Sequence, residues 1–322
     1  MKKILVIQTA FLGDVILATP IAENLKHNFP NVEIHYLVKK GNESLLENHK
    51  FIDKVWTFDK KNGKFKNILK LSKSFKKEEF DLIYNLHRFA SSGIIAALSN
   101  GKKTYGFKKN PLSFFYTKSF SHEIGNGQHE VDRNLSLLES LNLSSLIRRP
   151  SLFPSDTDIE KVSKLKTDNY FCIAPASVWF TKQLPKEKWI KLVEQISSKG
   201  KVYVIGSPTD YDFCQEIIEA SGNTAANLAG KLSLLQSAAL MKDAKRSYVN
   251  DSGPLHLASA VNAKVTAFFC STIPEFGFGP LSDDSIVLQT EEKLECRPCG
   301  LHGFKACPKG HFKCGEISLD KL

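Results

Sequence analysis

The 322-residue chain has no run of about 18 consecutive apolar residues, so its sequence offers no membrane-crossing helix. The first residues lack the long apolar stretch and small-residue cleavage site of a secretory leader, and the expected location is the cytoplasm. There is no Walker loop, no Gly-x-Gly-x-x-Gly and no His-Glu-x-x-His, which argues against P-loop, dinucleotide-fingerprint and zincin readings. Acidic residues are in deficit: 34 Asp and Glu stand against 44 Lys and Arg, a formal net charge of +10. That balance favours anionic partners such as nucleotides, phosphorylated lipids or an anionic inner-membrane surface; the plainer alternative is a solvated basic face. The lysines are spread along helix and loop faces with no aromatic-interleaved basic strand, so nucleic acid is not an expected partner.

What is present is a chain of α/β pattern, 42% hydrophobic and long enough for two domains at about 100–200 residues each. Residues 4–7 form a continuous apolar, partly β-branched run, the mark of a buried parallel strand. The run breaks at Thr9-Ala10 into a loop containing Gly13 and Asp14, and a helix follows. Gly13 suits a sharp turn and Asp14 a helix cap, but a carboxylate at the carboxyl end of a strand is also a candidate base. Strands and helices then alternate: strands at 32–38, 55–58 and 81–86, and between the last two an amphipathic helix with Phe65, Ile68, Leu69, Ser72 and Phe75 at helical spacing. Residues 101–127 read as irregular, and 130–141 as one helix. Pro150, Pro154 and several serines place a linker at 142–158, dividing the chain into domains 1–155 and 156–322.

The second half follows the same logic, with strands at 170–174, 202–205, 246–249 and 265–269, the last expected to close the sheet. Two loops stand out. Ser177 and Lys182 follow the first of these strands, a hydroxyl and a point charge suited to a diphosphate. Asn250-Asp251-Ser252-Gly253-Pro254 follows the third and enters a helix whose positive end favours phosphate, with His256 in its first turn. Good capping by Asp251 or Ser252 is the plain alternative. Asp210-Tyr211-Asp212 begins a helix, and capping explains it better than metal binding.

Four pieces in order along nearly the whole chain resemble glycosyltransferase family 9, the lipopolysaccharide heptosyltransferases. They are the Gly13-Asp14 loop, Lys182-Gln-Leu-Pro185, Gly206-Ser-Pro-Thr-Asp210 and Asn250-Asp-Ser-Gly-Pro-Leu-His256. The resemblance implies a GT-B fold, two Rossmann-like parallel-sheet domains facing a central cleft, and metal-independent inverting transfer. It implies an ADP-heptose donor and a lipid A-linked inner-core oligosaccharide as acceptor, with the enzyme peripheral to the inner leaflet. Asp14 then matches the catalytic base, with Thr9 and Gly13 in the acceptor-side loop. Ser177, Lys182, Asp210, Asp251, Ser252, Gly253 and His256 match the donor site. Gln8, Val178 and Leu184 depart from the family pattern, which bears on the acceptor and donor sugar more than on the reaction. The competing classes are another nucleotide sugar or acceptor, a dinucleotide-dependent oxidoreductase and a non-catalytic nucleotide binder.

Of seven cysteines, Cys172, Cys214 and Cys270 sit in apolar or helical context as small hydrophobes. Cys296, Cys299, Cys307 and Cys314 crowd the end of the chain, where reduced thiols are expected. Their spacing, with His302 and His311 nearby, leaves a structural zinc as the alternative to a packed loop.

Overall fold

The protein is described from a computed structural model covering residues 1–320 and 322. The chain divides into two units: 1–124 with 130–153, and 125–129 with 154–322. The break at 153–154 lies within the proline-containing stretch 142–158.

In the first unit, the apolar run becomes β1 (Lys3–Gln8), in which every residue from Ile4 onward is buried. It leads into α1 (Leu12–Asn28), then β2 (Glu33–Lys39), β3 (Lys54–Phe58), α2 (Lys64–Glu78), β4 (Leu82–Asn85), α3 (Ala90–Leu98), β5 (Lys103–Phe107), β6 (Lys118–Phe120) and α4 (Glu130–Leu135). The sheet order is β3-β2-β1-β4-β5-β6 with every neighbour parallel. Parallel strands must be joined by crossovers, so each connecting segment leaves at the carboxyl edge of the sheet and returns to the other. Pro20 interrupts α1 and cannot donate to the Ile16 carbonyl; the buried Thr19 hydroxyl supplies that bond at 2.8 Å, and the helix continues.

Several expectations change here. The stretch 101–127 holds two strands, β5 and β6; they are short, and Gly106 lies against the Tyr116 ring, with no room for a larger side chain. The segment 130–141 is an α-helix only to Leu135 and tightens to a 3₁₀ helix over Ser136–Leu141. In α2 the packed face is Ile68, Leu71, Ser72 and Phe75, whereas Phe65 and Leu69 face outward.

The second unit comprises α5 (Asp156–Ser163), β7 (Tyr170–Ala174), α6 (Lys186–Ser197), β8 (Lys201–Val204), α7 (Tyr211–Ala220), β9 (Ala225–Asn227), α8 (Leu234–Lys242), β10 (Arg246–Asn250), α9 (Gly253–Ala260), β11 (Val265–Phe269) and β12 (Ser285–Gln289). Its sheet, β12-β11-β10-β7-β8-β9, is also all parallel. Thus β11 does not close the sheet, because β12 pairs outside it. Helix α5 emerges from the expected linker on a capping box between Ser155 and Asp158. Trp189 of α6 is fully buried, edge-on to Phe268 at 5.2 Å between ring centroids.

Numbered within its own unit, each sheet has strand order 3-2-1-4-5-6, the doubly wound arrangement. Its strand order reverses between strands one and four, where ligands of such sheets bind. The loops at that point are those after β1 and β4 in the first unit and after β7 and β10 in the second.

Candidate active site

Asp14 lies after β1 as the third residue of α1, and Phe11 rather than Asp14 is the N-cap. Its carboxylate accepts from the Phe11 N–H at 3.1 Å, which fixes the side chain. Burial raises the Asp14 carboxyl to about 6 and the Glu130 carboxylate adds to that, against the Phe11 N–H and Arg88. Gly13 is the second helical residue and has no positive φ; the turn into α1 is made by extended Phe11 instead. Thr9 is wholly buried, its hydroxyl 3.2 Å from His87 Nδ1 and its carbonyl accepting from the Lys60 ammonium. It therefore braces the loop from below.

Four residues join this centre that sequence reasoning did not assign to it. His87 and Arg88 follow β4, and their place past a strand's end was the available signal. Burial, with Lys60 and Arg88 nearby, depresses the His87 imidazole to about 3, so it stays neutral. Burial lowers Lys60 to about 8, with Lys39 and Lys64 adding to the effect. Glu130 is buried in α4 and accepts from Arg133 Nε at 2.8 Å and pairs with His122 Nε2 at 3.1 Å. Burial raises its carboxyl, but His122 and Arg133 outweigh that and leave it lowered, hence anionic. Asn134 of the same helix donates to the Leu17 carbonyl of α1 at 3.2 Å, tying the Glu130 helix to the Asp14 helix. Sequence separations of 46 (Lys60) and 116 residues (Glu130) from Asp14 gave no local signal for these two.

In the second unit, Lys182 ends a 3₁₀ turn, Phe180–Lys182, on the loop after β7. Its ammonium sits 2.6 Å from Asp251 Oδ2, the two side chains 15% and 6% exposed. Thr272 also donates to Asp251 Oδ2 at 2.6 Å. Asp251 is thus not a helix cap; it anchors the lysine. Ser252 is the N-cap of α9 in extended conformation, yet its hydroxyl makes no capping bond and contacts the Asn250 carbonyl at 3.4 Å. The first turn of α9 therefore keeps its backbone donors clear of that side chain, with Gly253 as first residue and Pro254 as second. His256 is buried in that turn, its ring 6.5 Å from that of Phe278. Asn250 joins the two loops: its side chain donates to the Pro175 carbonyl at 2.8 Å and accepts from the Leu184 N–H at 2.9 Å.

Ser177 is half-buried on the same loop, and its carbonyl accepts from Gln183 Nε2 at 2.6 Å. Asp210 lies after β8; its Oδ2 accepts from the Ser207 N–H and hydroxyl at 2.8 and 2.6 Å, a capping role. Val178 is 78% exposed, whereas Leu184 is buried in the core.

The C-terminal segment underlies the Lys182 loop. Arg297 donates to the carbonyls of Phe269, Cys270 and Thr272, and Phe304 exchanges two hydrogen bonds with Thr181. All seven cysteines are free thiols. Cys314 is buried in the core, and Cys296 Sγ lies 3.8 Å from His311 Nε2. Among the described residues, Glu33, His35 and Glu78 form the one group whose three ligand atoms lie within 4.8 Å of one another. The four terminal cysteines do not reach that spacing. Lys3 and Lys54 already occupy Glu78, so the Glu33–His35–Glu78 group is an ion-pair cluster.

Among the described residues no helix is long and apolar enough to cross a membrane. The family model for glycosyltransferase family 9 (heptosyltransferase) matches residues 68–302. Lipopolysaccharide heptosyltransferase 1 of Campylobacter coli is 27% identical over 315 residues, spanning 91% of this chain and 90% of that one. The solved glycosyltransferase family 9 structure from Veillonella parvula superposes with a TM-score of 0.81 at 24% identity, over 90% of this chain and 86% of that one. E. coli ADP-heptose lipopolysaccharide heptosyltransferase II gives 0.79 at 20% identity, over 93% and 96%. The fold is accordingly GT-B. With a family model covering more than two thirds of it, the chain belongs to glycosyltransferase family 9, the heptosyltransferase family, and is a glycosyltransferase.

Proposed function

We propose that the enzyme transfers a heptose from ADP-heptose to the inner core of lipopolysaccharide on lipid A, with inversion at the anomeric carbon. The observation that carries this reading is the position of the Asp14 carboxylate, held at the carboxyl end of β1 by the Phe11 N–H at 3.1 Å, where desolvation and the Glu130 charge raise its affinity for a proton. A group with a pKa of about 6 is ionised at neutral pH and is a better proton acceptor than a free aspartate. As the acceptor oxygen bonds to the anomeric carbon, its proton passes to Asp14. The bond from that carbon to the diphosphate oxygen breaks on the opposite face, and ADP leaves with the electron pair. Lys182 and the backbone donors of α9 stabilise the charge that develops on the diphosphate. His256 and Ser177 lie on the same two loops and complete the donor contacts, and Asp210 contributes Oδ1 to the ribose. Every group in this scheme comes from the protein, with no metal assigned a part. We take the terminal cysteines to be thiols that pack the C-terminal segment under the Lys182 loop.

An acceptor carried on lipid A lies at the inner leaflet, and we place the enzyme there as a cytoplasmic, peripheral protein, its positive charge facing anionic lipid. The direct test is ADP release from ADP-heptose in the presence of a heptose-deficient lipid A-linked acceptor, with the product identified by mass spectrometry. Turnover on ADP-heptose and none on UDP-linked sugars is expected. Preference for another nucleotide sugar would replace the donor; product retaining the donor's anomeric configuration would remove Asp14 as base.

A further inference from the structure

The large apolar side chains that the first unit leaves in water are not scattered. Six of them are more than 60% exposed: Phe11, Phe65, Leu69, Phe89, Phe114 and Phe115. All six follow the carboxyl ends of strands, on the edge where Asp14 lies. Phe11 belongs to the Asp14 loop. Phe65 and Leu69 are one turn apart at the start of α2, which leaves β3, on the flank away from packed Ile68, Leu71 and Phe75. Phe89 caps α3 after β4, and α3 packs beside α2. Phe114 and Phe115 lie in the connection after β5, their rings 4.3 Å apart between centroids. Asn110 ties that connection to the start of α3 by donating to the His87 and Phe89 carbonyls at 2.9 and 3.1 Å.

The charge between these side chains is mainly positive, and Asp59, after β3, is paired with Lys40. Residues 60–77 contain eight lysines, and residues 82–122 contain five lysines and one arginine; neither stretch has a single Asp or Glu. Lys61, Lys64, Lys66, Lys70, Lys108 and Lys109 are exposed. Protein interfaces are depleted of lysine at their centres, whereas aromatic side chains among lysines match the interfacial zone of an anionic bilayer.

We propose that this edge of the first unit is the surface on which the enzyme seats on an anionic phospholipid bilayer. Phe65, Leu69, Phe114 and Phe115 enter the headgroup region and the surrounding lysines pair with lipid phosphates. The seat brings membrane-anchored sugars to the edge that carries Asp14. The inference rests on the reading that the acceptor is held on lipid.

The test is flotation of the full chain with phosphatidylcholine vesicles, with and without phosphatidylglycerol. Two paired variants are compared with the native protein: Phe65→Ser with Leu69→Ser, and Phe114→Ser with Phe115→Ser. Native protein should float with the anionic vesicles only, and each pair should lower that partitioning roughly tenfold, as expected for removing two interfacial anchors. Melting temperature and calorimetric ADP affinity should stay as in the native protein. Variants that float as well as the native protein would overturn the proposal. So would native protein that ignores vesicles and instead self-associates through these side chains. The two readings separate cleanly. Transfer to a delipidated acceptor without vesicle binding overturns the surface and leaves the reaction; vesicle binding lost in both pairs, with no transfer to any acceptor, upholds the surface and overturns the reaction.

Discussion

At the scale of single residues, the structure holds the Asp14 carboxylate against the Phe11 N–H, and desolvation, with the Glu130 charge within reach, raises its affinity for a proton. Its carboxyl is raised from 3.8 to about 6, chiefly by burial. Native protein thus binds the proton more tightly than unfolded chain does. The resulting cost to stability is absent below the unfolded pKa and fully present above about pH 6. Asp14→Asn should therefore melt higher than native protein at pH 8 and no higher at pH 4, as followed by calorimetry. Its turnover should fall roughly a hundredfold or more, the usual worth of a general base. In the native enzyme, kcat/KM should decline as pH drops through about 6, and that limb should vanish in the variant. Near-normal turnover in Asp14→Asn would return the residue to a structural role. Lys182 carries a separate expectation. Lys182→Ala should weaken ADP binding by about 1.5–3 kcal/mol in calorimetric titration, the range for a hydrogen bond to a charged group. Asp251→Asn keeps the ammonium but loosens its anchor, and should weaken binding less.

At the scale of elements, the site depends on loops that other segments hold in place. The Lys182 loop is braced from beneath by the C-terminal segment, and the close approach occurs at Gly303. That residue has φ +73°, and a Cβ there would lie 2.7 Å from Thr181 Oγ1 and 3.0 Å from Ser271 Oγ. Gly303→Ala should destabilise the protein by about 1–2 kcal/mol from the left-handed backbone alone. It should also raise KM for the donor, because Thr181 precedes Lys182. A variant with native melting temperature and donor KM would show that the segment does not support the loop. The same scale explains what the sequence concealed. Strands β5 and β6 have five and three residues; each opens on a lysine and is broken by a small or polar residue (Thr104 and Gly106 in β5, Ser119 in β6), so they offered no apolar run to recognise. Phe65 and Leu69 have the spacing of a packed helix face, but the sheet takes up the neighbouring face of α2 instead. Periodicity shows that a helix has an apolar stripe; it does not show which edge of the stripe meets the core.

At the scale of the whole molecule, the two units repeat one strand order, and the proposed mechanism divides the chemistry between them, with Asp14 as base on the first and Lys182 with the start of α9 holding phosphate on the second. A ligand that binds only the folded second unit stabilises the protein by mass action. ADP at a hundred times its Kd should add about 2.7 kcal/mol and raise the melting temperature. That rise should persist in Asp14→Asn and shrink in Lys182→Ala at the same ADP concentration. A rise that Asp14→Asn abolishes and Lys182→Ala retains would reverse the assignment of the units.

The sequence by itself determined the α/β class, the two-part division, most strands, and the three loops carrying Asp14, Lys182 and Asp251 to His256. These are local properties: an apolar run, a break in it, and small or charged residues where a helix begins. It could not assign the partners of those residues, because they arrive from distant chain. Glu130 and His87 join Asp14 and Thr9 only when α4 packs on α1 and β4 pairs with β1. Asp251 turns from helix cap to lysine anchor only when β10 lies beside β7. Tertiary packing also decided the proton affinity of Asp14, since desolvation and a buried carboxylate 116 residues away set it. Local sequence could place a carboxylate at a strand's end; only the surroundings assembled by the fold could raise its affinity for a proton.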